Sequence, residues 1–183
     1  ICSQSTFNGH LTFVIGENGM DLALSCGLPA NQIIKTGNWL GPLLVAAAEN
    51  GVKKLLLFGY HGKLIKLSGG IFHTHHHLAD GRLEILTSLA VKEAISSDLI
   101  ELISKSTSVE NALLALELHN PEDVALIWGR MAKEIEIKSQ SYVNRYLSSS
   151  MVVGSVLFDR KRQIRWAGCQ GLKQINSLGL ILK

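Results

Sequence analysis

A chain of 183 residues, 46% hydrophobic and 18% charged, is long enough for one well-buried domain and has the balance of an ordinary globular protein. A net charge of +3, with dispersed basic residues and no interleaved aromatics, excludes a nucleic-acid surface but leaves room for a local site that attracts an anionic small molecule. The longest apolar run, residues 39–48, contains Pro42 and is far too short to cross a bilayer. Cys2, Cys26 and Cys169 are scattered and odd in number, neither a disulfide framework nor a zinc ribbon, so a reducing cytoplasm is the expected compartment. The chain opens at Ile1 with no initiator methionine and no leader, as expected of a piece of something longer.

Residues 1–10 are polar and aperiodic. Residues 11–15 form a β-branched and aromatic run that stops at Gly16-Glu17-Asn18-Gly19, and residues 20–26 then take helical spacing with Gly27 as C-cap. The unit repeats: a brief strand over 33–35, the turn Thr36-Gly37-Asn38, and a helix over 39–50 closed by Gly51. Residues 54–58 are an unbroken apolar strand, the pattern of a strand covered on both faces. This strand–turn–helix rhythm predicts an α/β fold, an open and mainly parallel sheet with helices on both faces.

Beyond Gly81, Leu83, Ile85, Leu86, Leu89, Ala90 and Ala94 mark a helix, and residues 98–104 a shorter one. Ser108 reads as the N-cap of a helix over 112–118. Asn120-Pro121-Glu122-Asp123 starts a long helix to about residue 146, with Lys133, Glu134, Glu136 and Lys138 as its exposed face. Residues 151–158 and 163–167 flank Asp159-Arg160-Lys161-Arg162 as a C-terminal antiparallel hairpin with an exposed turn, and no element is assigned from Cys169 onward.

The chemistry concentrates between Val52 and Arg82. Gly59-Tyr60-His61-Gly62-Lys63 reads as a turn at the carboxyl end of the central strand, where open parallel sheets bind ligands. Its glycines permit close backbone approach and Lys63 adds a point charge; GxxxxGK[ST] spacing is missing. The turns at Gly16, Gly37 and Gly59 should share one rim, where Glu17 or Asn38 could hydrogen-bond a ribose, although such folds need glycines there anyway and GxGxxG is absent. His73, His75 and Asp80 could form a facial metal set, yet no ligand from a distant element completes it. Proton transfer or an acidic ligand suits His73 and His75 better, with His76 and His77 solvated. Lys63, Lys66 and Arg82, opposed only by Asp80, suit a substrate with several carboxylates, or else form a basic solvated loop.

The stretch GYHGKLIKLSGGIFHTHHHLADGR resembles the signature GxxGKLxKxAxGxxxTHxxxxD of the cobalt-precorrin-5B C1-methyltransferases of anaerobic cobalamin biosynthesis. The likeness extends upstream through LTFVIGENGMDLA and IIKTGNWLGPLLVAAAENGVKKLLLFG, and downstream to the hairpin MVVGSVLFDRKRQIRWAG. Tyr60, His61 and Ser68 depart from the family's usual residues, and His76 and His77 fall in its variable part. The resemblance implies S-adenosylmethionine-dependent methyl transfer to C1 of a cobalt corrinoid, giving cobalt-precorrin-6A, with cobalt present only in the substrate and no resident metal.

It further implies that residues 1–183 are a single Rossmann-like α/β domain, the carboxyl-terminal part of an enzyme whose amino-terminal domain is its partner; homo-oligomers stay open. On that reading Gly16, Glu17, Gly19, Gly37, Asn38, Gly59 and Gly62 cradle the methyl donor, while Lys63, Lys66, His73, Thr74 and Arg82 hold the substrate. Asp80 and His75 are then the catalytic candidates, as proton carriers or orienting groups. The rivals are a metal-dependent hydrolase using the HTHHH loop and a non-catalytic ligand-binding module.

Overall fold

A computed structural model describes residues 1–3, 7–16, 19–75, 77 and 80–179. Strands β1 (His10–Ile15), β2 (Ile33–Thr36), β3 (Lys54–Tyr60), β4 (Val152–Phe158) and β5 (Ile164–Ala167) form one five-stranded sheet in the order β2-β1-β3-β4-β5. The first four run parallel, and β5 closes the edge antiparallel to β4 as the predicted hairpin. The fold is therefore α/β, an open and mainly parallel sheet.

Alternation along the strands explains why the apolar runs are continuous. Leu11, Phe13, Ile15, Leu55, Leu57 and Val153 face one core. That core is closed by α2 (Leu40–Glu49), α3 (His61–Ser68), α4 (Arg82–Lys92), α5 (Ser97–Lys105), α6 (Val109–His119) and α7 (Pro121–Asn144). Val14, Leu56, Phe58, Val156 and Phe158 face a smaller core under α1 (Met20–Ser25) and α8 (Cys169–Ser177). Burial on both faces drives the arrangement, each fully buried Leu or Phe contributing roughly 1.5–3 kcal/mol. The helix starts are those the sequence marks: Ser108 accepts from the Asn111 N–H at 3.1 Å, and Asn120 from the Glu122 N–H at 3.1 Å, ahead of Pro121.

Two sequence expectations are corrected, and one helix is added. Gly59–Lys63 is no turn: β3 runs through Tyr60 and α3 begins at His61, so strand passes directly into helix. Glu136 is not on an exposed face but buried beneath α8, a helix left unassigned in the sequence. Glu136 Oε1 accepts from the N–H groups of Ser155 (3.1 Å) and Gly171 (2.8 Å), and Oε2 from Gln170 (3.1 Å). A carboxylate from α7 thus caps the first turn of α8, whose own N-cap, Gly168, has no side chain to do so. A Cβ on Gly171 would overlap the Ser155 carbonyl oxygen, so α8 meets β4 backbone to backbone.

Candidate functional site

The strand order reverses direction between β1 and β3, and the crevice outside the carboxyl ends of such neighbours is where open sheets take ligands. Register brings the ends level: Ile15 sits opposite Thr36 and Gly59, and Tyr60 opposite Phe158. A cavity of about 420 Å³ opens on this rim. Ile15, Gly16, Tyr60 and Phe158 form its sheet side, and the starts of α3, α4 and α6 supply Gly62, Lys63, Arg82 and Glu110. The β4–β5 connection contributes Asp159, Arg160 and Arg162, just past a register shift between Leu157 and Phe158 that re-aims the chain at the lip. Gly16 takes φ +92°, and a Cβ on Gly62 would come within 2.5 Å of the Tyr60 ring. Both glycines are therefore required by geometry at the cavity wall.

A second basin of about 480 Å³ adjoins the first and shares Tyr60, Gly62, Lys63 and Arg82 with it. Asn38, Lys66, Thr74 and His75 complete its lining. The loop after α3 is stitched to the start of α2: the Thr74 N–H donates to the Asn38 carbonyl at 2.9 Å, and its hydroxyl to Asn38 Oδ1 at 3.1 Å. Lys66 is buried, donates to the His75 carbonyl at 3.4 Å, and has its pKa pushed down chiefly by burial. Its ammonium is a charge poorly served by water, and so suited to an anionic ligand.

Under the shared wall lies a chain of hydrogen bonds. Trp128 Nε1–H, in the core of α7, donates to His61 Nδ1 at 3.1 Å, which assigns the ring proton to Nε2. His61 Nε2–H then donates to Glu110 Oε2 at 3.0 Å, and the Tyr60 hydroxyl donates to the same oxygen at 2.9 Å. The His61 ring is wholly buried, and burial lowers its pKa against the opposing pull of Glu110 and Asp159. Burial, then the Glu110 hydrogen bond, push the Tyr60 phenol up, so it remains a donor.

The predicted site residues divide between these places. Gly16 and Gly62 line the rim cavity; Asn38, Lys63, Lys66, Thr74, His75 and Arg82 line the basin. Gly19 and Gly59 line neither: a Cβ would meet Val14 at 2.7 Å and Leu64 at 3.0 Å, so their role is close packing. Gly37 lines neither and faces open space, and Glu17 lies outside the described residues. His73 turns away, edge-on to Trp39 with centroids 4.5 Å apart, in a third cavity beside Phe72 and Tyr142. Asp80 grips Arg82 through both oxygens, at 2.5 and 2.8 Å, and that pairing holds its carboxyl below its usual pKa.

His73 and His75 have ring centroids 6.4 Å apart while Asp80 is taken up by Arg82, and among the described residues no three His, Cys, Asp or Glu side chains converge as metal ligands. Sequence reading missed Glu110, Asp159, Arg160 and Arg162, which arrive from elements remote in sequence. The one local signal was the capped start of α6, which fixes Glu110 in a first helical turn. No described helix is long and apolar enough to cross a membrane.

A mainly parallel sheet whose switch point opens into a glycine-edged cavity beside a cationic basin places the chain in the doubly wound α/β class. The family model described as "CbiD, C-terminal domain" matches residues 73–169, and the chain belongs to that family. It is 85% identical over 182 residues to the cobalt-precorrin-5B C(1)-methyltransferases of Prochlorococcus marinus strains NATL2A and NATL1A, covering all of this chain and 48% of each relative. Identity to the protein of the same name from strain MIT 9313 is 56% over 178 residues, covering 97% of this chain and 46% of that relative. The chain thus spans about half the length of the curated relatives it matches. No solved structure gives a significant match.

Proposed function

We propose that this chain carries the donor and substrate sites of an S-adenosylmethionine-dependent methyltransferase that methylates C1 of cobalt-precorrin-5B to cobalt-precorrin-6A in the cytoplasm. Its partner is the further length present in the relatives, which the chain's 48% coverage of them leaves outside it. The observation that carries the reading is the shared wall: two cavities meet across Tyr60, Gly62, Lys63 and Arg82 at the sheet's switch point. Methyl transfer needs two ligands to meet end to end, and alignment of nucleophile and methyl group supplies much of the rate.

The rim cavity takes the donor. Gly16 and Gly62 let the backbone approach its polar parts, and the Tyr60 and Phe158 rings offer faces for the adenine. The basin takes the corrinoid, a macrocycle bearing several carboxylates that Lys63, Lys66 and Arg82 pair with, while Asn38, Thr74 and His75 add polar contacts. Asp80 holds the Arg82 guanidinium in place for that task.

The test is melting temperature with and without S-adenosylhomocysteine up to millimolar concentration, on this chain and on the full-length protein. At a hundred times the dissociation constant, a ligand bound only to the folded form adds about 2.7 kcal/mol, a shift of several degrees. A shift in both proteins is expected. A shift in the full-length protein alone moves the donor site to the other half, and no shift in either rejects the reading.

A further inference from the structure

Glu110 lines the rim cavity at the first turn of α6, with its side chain only 13% exposed. Both of its protein donors, Tyr60 O–H and His61 Nε2–H, converge on Oε2. Among the described residues no donor engages Oε1, which leaves that oxygen to the cavity. The carboxylate is held rigidly: His61 is locked in its tautomer by Trp128, and Trp128 is fully buried in α7. Tyr60 belongs to both cavities, so Glu110 is one hydrogen bond from the place where they meet. Asp80, by contrast, spends both oxygens on Arg82 and lines neither cavity.

We infer that Glu110 is the general base of the transfer, a role that rests on the methyltransferase reading above. As the methyl–sulfur bond breaks, its electron pair stays on sulfur and the sulfonium becomes a neutral thioether. An electron pair of the macrocycle forms the new carbon–carbon bond, leaving the ring one positive charge richer. Loss of one ring proton, from C–H or N–H, discharges it, and that proton passes to Glu110 Oε1. Tyr60 and His61 are positioning residues that aim the carboxylate. The other charged groups lining its cavity are Lys63 on α3, Arg82 on α4, and Asp159, Arg160 and Arg162 from the hairpin.

The experiment uses the full-length protein, S-adenosylmethionine and cobalt-precorrin-5B in single turnover, with S-adenosylhomocysteine affinity and melting temperature measured alongside. Glu110→Gln keeps an amide oxygen for Tyr60 and His61 but cannot take a proton. Transfer should slow by about 10²–10⁴-fold while S-adenosylhomocysteine affinity changes little. Unchanged transfer overturns the inference and leaves the methyltransferase standing. Loss of rate matched by loss of S-adenosylhomocysteine binding also overturns it, making Glu110 a donor anchor. No transfer by the unaltered protein rejects both readings.

Tyr60→Phe gives a second readout should Glu110→Gln not fold. The phenyl ring keeps the cavity wall but one of the two donors that aim the carboxylate is lost, so single-turnover transfer should slow by about tenfold while S-adenosylhomocysteine affinity stays within about twofold. Unslowed transfer, or slowing matched by loss of S-adenosylhomocysteine affinity, overturns the assignment.

Discussion

Two glutamates, Glu110 and Glu136, each take several hydrogen bonds in protected settings, and their donors differ in kind. Glu136 is met by three backbone N–H groups, from Ser155, Gln170 and Gly171, fixed by a strand and a helix start. Glu110 is met by two side chains, Tyr60 and His61, both on one oxygen and beside a cavity. Backbone donors come with the fold and saturate the carboxylate, and glycines at 168 and 171 let it and the chain close in without a Cβ. Side-chain donors orient a carboxylate without exhausting it. A saturated carboxylate contributes to stability; one with an oxygen left over is available for chemistry.

The sharpest way to break this comparison is Glu136→Ala. It strips the acceptor from three N–H groups at once, at roughly 1–3 kcal/mol for each donor left unsatisfied, so a loss of about 3 kcal/mol or more is expected. For a domain of this size that is a fall of about 6–12 °C in melting temperature. S-adenosylhomocysteine affinity of the folded fraction should hold, because Glu136 lines neither cavity. A loss under about 1 kcal/mol would mean that water serves those N–H groups as well as the carboxylate does.

His61→Gln probes the other carboxylate and is a smaller effect. Burial holds the His61 pKa below its ordinary value of 6.5, with Glu110 and Asp159 pulling upward and Arg165 downward. In the unfolded chain the ring takes a proton below about 6.5, whereas in the folded one it takes it only at lower pH. Stability from this group is therefore present above pH 6.5 and lost as pH falls through the folded value, by up to about 1.4 kcal/mol per pH unit. Glutamine can accept from Trp128 and donate to Glu110 but cannot titrate. The drop in stability as pH falls below about 6.5 should therefore be smaller in the variant than in the unaltered chain. An unchanged drop in urea titrations would show that His61 is not held neutral.

What was legible in sequence follows the same division between local and distant. The sheet could be read because each strand carries its own apolar run and glycine stop, as at 11–15 and 54–58. The cationic set Lys63, Lys66 and Arg82 could be read because one strand–helix–loop unit presents all three. Glu110, Asp159 and Arg160 could not, because only the order β1-β3-β4 brings α6 and the hairpin lip to the end of β3. Glu136 was hidden by its neighbours: it sits among Lys133, Glu134 and Lys138, and its burial depends on α8, whose glycines make the close contact.

The gentlest test is Gly37→Ala, which asks how far the proposed donor site extends along the rim. A Cβ at Gly37 meets nothing within 4 Å, its φ lies outside the left-handed region, and it borders neither cavity. Alanine there restricts the unfolded chain without straining the folded one, so stability should stay level or rise by about 0.4–1 kcal/mol. Affinity for S-adenosylhomocysteine, read by calorimetry on the full-length protein, should stay within about twofold if the donor lies over the ends of β1, β3 and β4. A loss of about tenfold, or 1.4 kcal/mol, would instead put the nucleoside over β2. That result would favour Gly37 as part of the proposed donor site and leave the rim cavity, with Glu110 in its wall, to the macrocycle.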